Sequence, residues 1–272
     1  MNLVGRTRAS SARLRAERIG LAAVGAVLVC FLLLPVVALV SGESLDDLRA
    51  GLAHPLVWPA LRLSFVTTGI SLALTVLFGA PLAWTLARSR NSAARAVEAA
   101  VQLPVVIPPA VAGLALLLAF GRQGLLGGRS LAFTTAAVVM AEIFVSAPFF
   151  VKAATSAFRR VDARLVDVAR TLGASPLRVF LRIGLPLALP GLVSGAAMSW
   201  ARALGEFGAT LLFAGNLPGR TQTVPLAIYS AFEADIEAAR ALAVVLVAVA
   251  FASLVTARAA WRRSAGASED LP

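Results

Sequence analysis

The chain has 272 residues, of which 59% are hydrophobic and only 14% charged, against about 45–50% and 25% in soluble domains. With a mean hydropathy of +0.84 it cannot cover its own surface with polar groups, so lipid is the solvent for most of it. A disordered chain, a disulfide scaffold and an ordinary cytosolic enzyme are excluded, and the net charge of +11, which in a soluble protein would raise nucleic-acid binding, needs another explanation.

Six apolar stretches follow one another along the chain: Ile19–Val40, Leu63–Ala87, Ala99–Gly121, Leu131–Val151, Ile183–Ala201 and Ala241–Ala257. A spanning helix needs about 17–25 such residues, and only helices or closed barrels satisfy their backbone in lipid. The fold class is therefore all-α and integral to the membrane, with six transmembrane helices. The first stretch is too long for the apolar part of a signal peptide, and Ala38-Leu39-Val40 is a poor cleavage site, so it reads as a retained helix.

Positive charge sets the orientation. Arg6, Arg8, Arg13, Arg15 and Arg18 precede the first span, and Arg88, Arg90 and Arg95 follow the second. Lys152, Arg159, Arg160, Arg164, Arg170, Arg178 and Arg182 lie between the fourth and fifth, and Arg258, Arg262 and Arg263 after the sixth. The opposite loops hold only Arg49, Arg62, Arg122, Arg129, Arg220 and Arg240, with the acids Glu43, Asp46 and Asp47 in the first of them. This asymmetry places both termini in the cytoplasm and absorbs the basic balance without nucleic acid. The organisation expected is a cytoplasmic Arg-rich tail over residues 1–18, a membrane domain over 19–257 and a cytoplasmic tail over 258–272.

Enzyme chemistry is tested by subtraction. A phosphate-binding P-loop needs a lysine after a glycine-rich turn, but the single lysine, Lys152, follows Phe149-Phe150-Val151. One histidine, His54, and one cysteine, Cys30, leave no metal cluster and no histidine-based triad. The chain reads as non-catalytic, without a cofactor or metal of its own.

Residues 154–182 form the longest cytoplasmic segment. Asp162–Leu172 has Leu165, Val168, Ala169 and Leu172 on one stripe at helical spacing. Gly173 is placed to close that helix with a left-handed cap, and Ser175-Pro176 to start another, whose apolar residues are Leu177, Phe180 and Leu181. Two capped helices with an apolar stripe make a rigid knuckle, and exposed apolar surface of this kind marks a partner site. On the opposite side, Phe207–Gly219 and Thr221–Phe232 are too short to span and read as re-entrant or interfacial pieces.

Asp167-Val168-Ala169, then Gly173, Ile183 and Leu185-Pro186, resemble at every spacing the EAA loop of permease subunits of ATP-binding-cassette importers. Asp167 replaces the Glu of that pattern and Val168 its first Ala. Ala201-Arg202-Ala203-Leu204-Gly205-Glu206-Phe207-Gly208-Ala209-Thr210 resembles the oxyanion branch of these permeases, and Phe213–Tyr229 is most similar to its molybdate members. Leu103-Pro104, Pro108-Pro109 and Val111-Ala112-Gly113 belong to the same likeness, which covers about residues 61–257.

The resemblance implies a type-1 importer subunit in the inner membrane that moves molybdate or tungstate by alternating access. Sulfate or thiosulfate is the alternative cargo, and a proton-coupled carrier a more remote one. It further implies a homodimer, a separate ATPase subunit holding ATP and Mg, a periplasmic or lipid-anchored oxyanion-binding protein and contact with membrane lipid. Asp167, Val168, Ala169, Leu172, Gly173, Phe180, Ile183, Leu185 and Pro186 are the expected ATPase-coupling residues. Pro104, Pro108, Pro109, Arg202, Gly205, Glu206, Phe207 and Gly208 are the candidates for the pathway or gate. Prolines free backbone groups that lipid cannot satisfy, so Pro104, Pro108 and Pro109 are expected to break the third span, and Pro186 and Pro190 the start of the fifth, where both line the pathway. Gly195-Ala196-Ala197 permits close helix approach. Glu142, in the middle of the fourth span, is assigned a structural role, protonated or bonded to a neighbouring helix; Arg202 is assigned an ion pair with Glu206, with attraction of an anion near the outer gate as the alternative.

Overall fold

The computed structural model describes residues 3–41, 44–89, 91–125 and 130–266. Of the charges used for orientation, Glu43, Arg90 and Arg129 lie outside the described residues. So do the side chains of Arg6, Arg8, Arg13, Arg15, Asp47, Arg258, Arg262 and Arg263, and the end of the C-terminal tail. Every regular element among the described residues is helical.

The chain divides after Arg49 into two compact units. The first is dominated by α1 (Leu3–Ser41), whose segment Gly20–Ser41 is long and apolar enough to cross a membrane. Between α1 and the rest of the chain lies the short α2 (Leu45–Leu52). The second unit contains α3 (Val57–Arg88), α4 (Ser92–Val106), α5 (Pro109–Phe120), α6 (Thr135–Arg159), α7 (Ala163–Thr171), α8 (Pro176–Val179), α9 (Leu185–Leu204), α10 (Gly208–Ala214), α11 (Val224–Ala234) and α12 (Ile236–Gly266).

Helix α6 is the centre of this unit and packs against both α3 and α9. Towards its C-terminal end Phe150, Ala154 and Phe158 bury against Ala80, Ala83 and Leu86 of α3 and Ala188 and Leu192 of α9. Towards its N-terminal end Val138, Ala141 and Val145 pack with Ala112 and Leu116 of α5 and Ala209 and Phe213 of α10. A third cluster joins Val57 and Ala60 of α3 to Val224 and Ala227 of α11 and Leu242 of α12. Small residues set the spacing. A Cβ on Gly195 would stand 2.8 Å from that of Ala153, the close approach that the Gly195-Ala196-Ala197 run predicts.

The proline expectations hold in part. The third apolar stretch is not one straight span: α4 and α5 meet at 115°. Pro108 and Pro109 cause the bend, because each pushes the residue before it out of the helical region; Ile107 sits at ψ 129° and Pro108 at ψ 138°. Pro104 lies inside α4 and breaks nothing. Nor do Pro186 and Pro190 interrupt the fifth stretch, which lies within a continuous helical span from Pro176 to Leu204. A π-helical turn over Phe180–Gly184 precedes Pro186, with the Leu185 amide donating to the Phe180 carbonyl. The widened turn accommodates a residue that has no amide proton for the usual bond.

By length and composition, four helices among the described residues can cross a membrane, or five with the bent pair as one span. The expected six is thus not reached among them. Ala241–Ala257, the sixth stretch, falls within α12, some of whose side chains lie outside the described residues.

Candidate functional site

The knuckle forms as the sequence predicts. Asp162 caps α7, its carboxylate accepting from the Arg164 amide at 2.9 Å. Val161 and Val166, both buried, occupy the two positions of a hydrophobic staple and fix the angle at which the chain enters the helix. At the other end Gly173 takes φ +81°. Its amide bonds the Arg170 carbonyl at 2.9 Å and the Ala174 amide the Ala169 carbonyl at 3.0 Å, the two bonds of a Schellman cap. Ser175 then caps α8 by accepting from the Arg178 amide at 3.3 Å.

Two kinds of apolar residue separate here. Leu165, Val168 and Leu172 stand out from the chain, Leu172 at 83% exposure, and Ala169 is half-buried beside them. Asp167, Leu177, Leu181 and Pro186 are likewise exposed. Phe180, Ile183 and Leu185 instead turn inward onto the Phe150–Phe158 cluster. Phe180 therefore belongs to the root of the knuckle and not to an outward apolar face.

At the far end of α9 the chain turns sharply. Gly205 ends the helix, so Glu206 is not on the same helix face as Arg202, and the helical i,i+4 comparison does not apply. The turn brings the two together all the same. Arg202 Nη1 lies 2.7 Å from Glu206 Oε2, a close charge contact without the alignment of a hydrogen bond. The other oxygen, Oε1, accepts from the Ala209 amide at 2.8 Å, so Glu206, 2% exposed, also caps the start of α10. Phe207 packs against Tyr229 of α11, ring centroids 5.5 Å apart and tilted by 55°. Gly208 lies against Pro109, and a Cβ there would come within 2.9 Å of the Pro109 Cβ.

Six of the eight gate candidates thus lie at one turn or directly beneath it: Arg202, Gly205, Glu206, Phe207, Gly208 and Pro109. Pro108 forms the exposed bend before α5. Pro104 does not join them; it lines an apolar groove of about 370 Å³ between α3, α4 and α6, with Phe78, Gly79, Phe144 and Pro148.

One feature is absent from the sequence expectations. Ser64, Thr67, Thr68, Ser71 and Thr75 form a buried polar stripe along α3. Ser64 accepts from the Val224 amide at 2.8 Å, Thr68 from the Trp200 indole at 3.0 Å, and Thr67 donates to Glu142 Oε1 at 2.7 Å. Glu142 is 1% exposed, and its bond to α3 is the neighbouring-helix contact expected of it. Hydroxyls at spacings of three and four within one apolar span were the available signal.

A helical bundle with several membrane-length apolar helices and a capped knuckle at one end of its core defines a multi-pass membrane protein. Residues 75–263 match the family model described as "Binding-protein-dependent transport system inner membrane component", and the chain belongs to that family; it is a non-catalytic permease subunit. The chain is 46% identical over 228 residues, 82% of its length and 86% of the relative's, to the molybdenum transport system permease protein ModB of Mycobacterium bovis. It is 36% identical over 239 residues, 87% and 92% of the two chains, to the molybdate/tungstate transport system permease protein WtpB of Pyrococcus abyssi. Among solved structures a bacterial alginate ABC transporter in complex with its alginate-bound periplasmic protein aligns with a TM-score of 0.70 at 18% identity, over 93% of this chain and 96% of that one. This likeness is one of fold.

Proposed function

We propose that this chain is the permease of an ATP-driven importer of molybdate or tungstate. The observation that carries the reading is the 46% identity to a molybdenum permease across most of both chains, in a chain that displays a capped, apolar-striped knuckle. Two copies form the pathway in the cytoplasmic membrane, with both termini and the knuckle in the cytoplasm, and membrane lipid surrounds the apolar helices. A separate ATPase subunit holds ATP and Mg. A periplasmic or lipid-anchored protein delivers the oxyanion.

In this reading the exposed Leu165, Val168 and Leu172, with Asp167 and Ala169 beside them, seat in a cleft of the ATPase, held in shape by Gly173. Phe180, Ile183, Leu185 and Pro186 carry the movement into α9. Closure of the ATPase pair moves the knuckle, α9 swings with it, and the turn over Gly205–Gly208 against Pro108 and Pro109 opens or closes the path. Arg202 is held by Glu206, so among the described residues the cation of this turn is already paired and does not grip a dianion. That suits a pathway that must release its cargo, and it leaves selectivity to the binding protein.

The test is ATP-driven uptake by the complete complex in vesicles, supplied with labelled molybdate or sulfate through the cognate binding protein. Uptake of molybdate, with sulfate excluded, is expected. Sulfate entry with neither entry nor competition by molybdate overturns the cargo assignment. Uptake driven by a proton gradient and indifferent to ATP overturns the importer reading altogether.

A further inference from the structure

The knuckle leaves the core at Val161 and returns to it through the π-helical turn at Phe180–Gly184. Both points are held by one helix end, that of α3. The Trp84 ring packs edge-on against Phe158 at 5.2 Å and against Phe180 at 5.7 Å. It also lies flush on the backbone of Gly184, where a Cβ would stand 2.7 Å from its Cζ3. One turn further on, the Arg88 guanidinium stacks over the same indole at 4.4 Å and donates from Nη2 to the Val161 carbonyl at 3.4 Å.

We propose that Trp84 and Arg88 form a strut that grips the entry and the exit of the knuckle together, so that its movement is passed to α3 as well as to α9. Helices kink at π turns, and a knuckle held only through α9 would pivot there and lose the stroke. With α3 attached at both roots, the knuckle and the ends of two spans move as one body. Because α3 also carries Ser64, Thr67 and Thr68 bonded to α11, α6 and α9, the strut connects the knuckle to helices at the opposite end of the core. Trp84 and Arg88 are positioning residues, acting through Gly184, Phe180 and Val161.

The inference rests on the reading of the knuckle as the ATPase seat, and the experiment separates the two. The complete complex in vesicles is assayed for phosphate released per molybdate imported. That ratio responds to lost transmission but not to a proportional loss of folded protein. Trp84→Ala is expected to raise it about tenfold, a typical size for coupling between distant sites. Gly184→Ala, which pushes the ring away, is expected to raise it too. Trp84→Phe combined with Gly184→Ala makes room for the added methyl and should return the ratio to within about twofold of wild type. If Trp84→Ala fails to assemble, the Gly184 pair decides. An unchanged ratio in Trp84→Ala, or a double variant no better than Gly184→Ala alone, overturns the strut. ATP-independent uptake by the wild-type complex overturns the knuckle reading and the strut with it.

Discussion

Gly208 lies against Pro109: a methyl group on Gly208 would sit 2.9 Å from the Pro109 Cβ and 3.2 Å from the Ala110 amide nitrogen. The contact joins α10 to the start of α5, and Gly113 of α5 faces the Ala209 carbonyl in the same way, at 2.8 Å for an added Cβ. Two helices too short to span are thus seated backbone to backbone. Gly208→Ala is expected to force them apart at an overpacking cost of about 1–3 kcal/mol, lowering the thermal midpoint of the purified complex. Gly205→Ala, where an added Cβ meets only the Ala201 carbonyl at 3.7 Å, should be milder. Equal midpoints for the two variants would contradict this packing.

The ion pair of Arg202 and Glu206 makes a second prediction. Removing one partner leaves a buried carboxylate or a half-buried cation unpaired, which costs about 3–5 kcal/mol in a fully buried pair and less here, since the Arg202 side chain is 29% exposed. Arg202→Met should therefore destabilise more than Arg202→Met with Glu206→Gln, because a neutral amide oxygen still accepts from the Ala209 amide. Thermal unfolding of both variants checks the order. If Arg202 served instead to attract the anion, the double variant would lose uptake as completely as the single one.

Glu142 offers a sharper choice between structure and transport. Glutamine keeps an acceptor for the Thr67 hydroxyl and the same shape, so Glu142→Gln should retain uptake within about twofold. Glu142→Lys places a cation against Thr67 and Ser71 and should prevent accumulation of folded protein. Loss of uptake in Glu142→Gln at normal protein level would mean that the ionisable proton itself is used.

Gly173→Val tests the cap. Nothing lies within 4 Å of a Cβ at Gly173, so the substitution acts through its φ of +81° alone. A β-branched residue there costs on the order of 1–2 kcal/mol. The variant should reach the membrane in normal amount but fail to couple ATP to uptake. Gly173→Asn, which tolerates the left-handed region better, should keep more of it. Normal ATP-driven uptake by Gly173→Val at equal expression would remove the cap from the mechanism.

Sequence alone determined the local parts of this protein. Apolar length fixed the helical membrane class, because lipid offers no partner to a backbone group. The knuckle was legible for a similar reason: Asp162, Gly173, Ser175 and Pro176 act within one turn of where they stand. Tertiary structure decided what depends on neighbours. The stripe in Asp162–Leu172 is visible in the sequence, but whether Phe180 joins it or turns inward depends on Trp84 and Phe158, some 96 and 22 positions away. Pro108-Pro109 bends the chain while Pro186 does not, since a π turn widened the helix before the latter and nothing did so for the former. The hydroxyl stripe of α3 and the strut at its end arise only once α6, α9 and α11 close around it, for a serine or tryptophan in an apolar run has no assigned partner until packing supplies one.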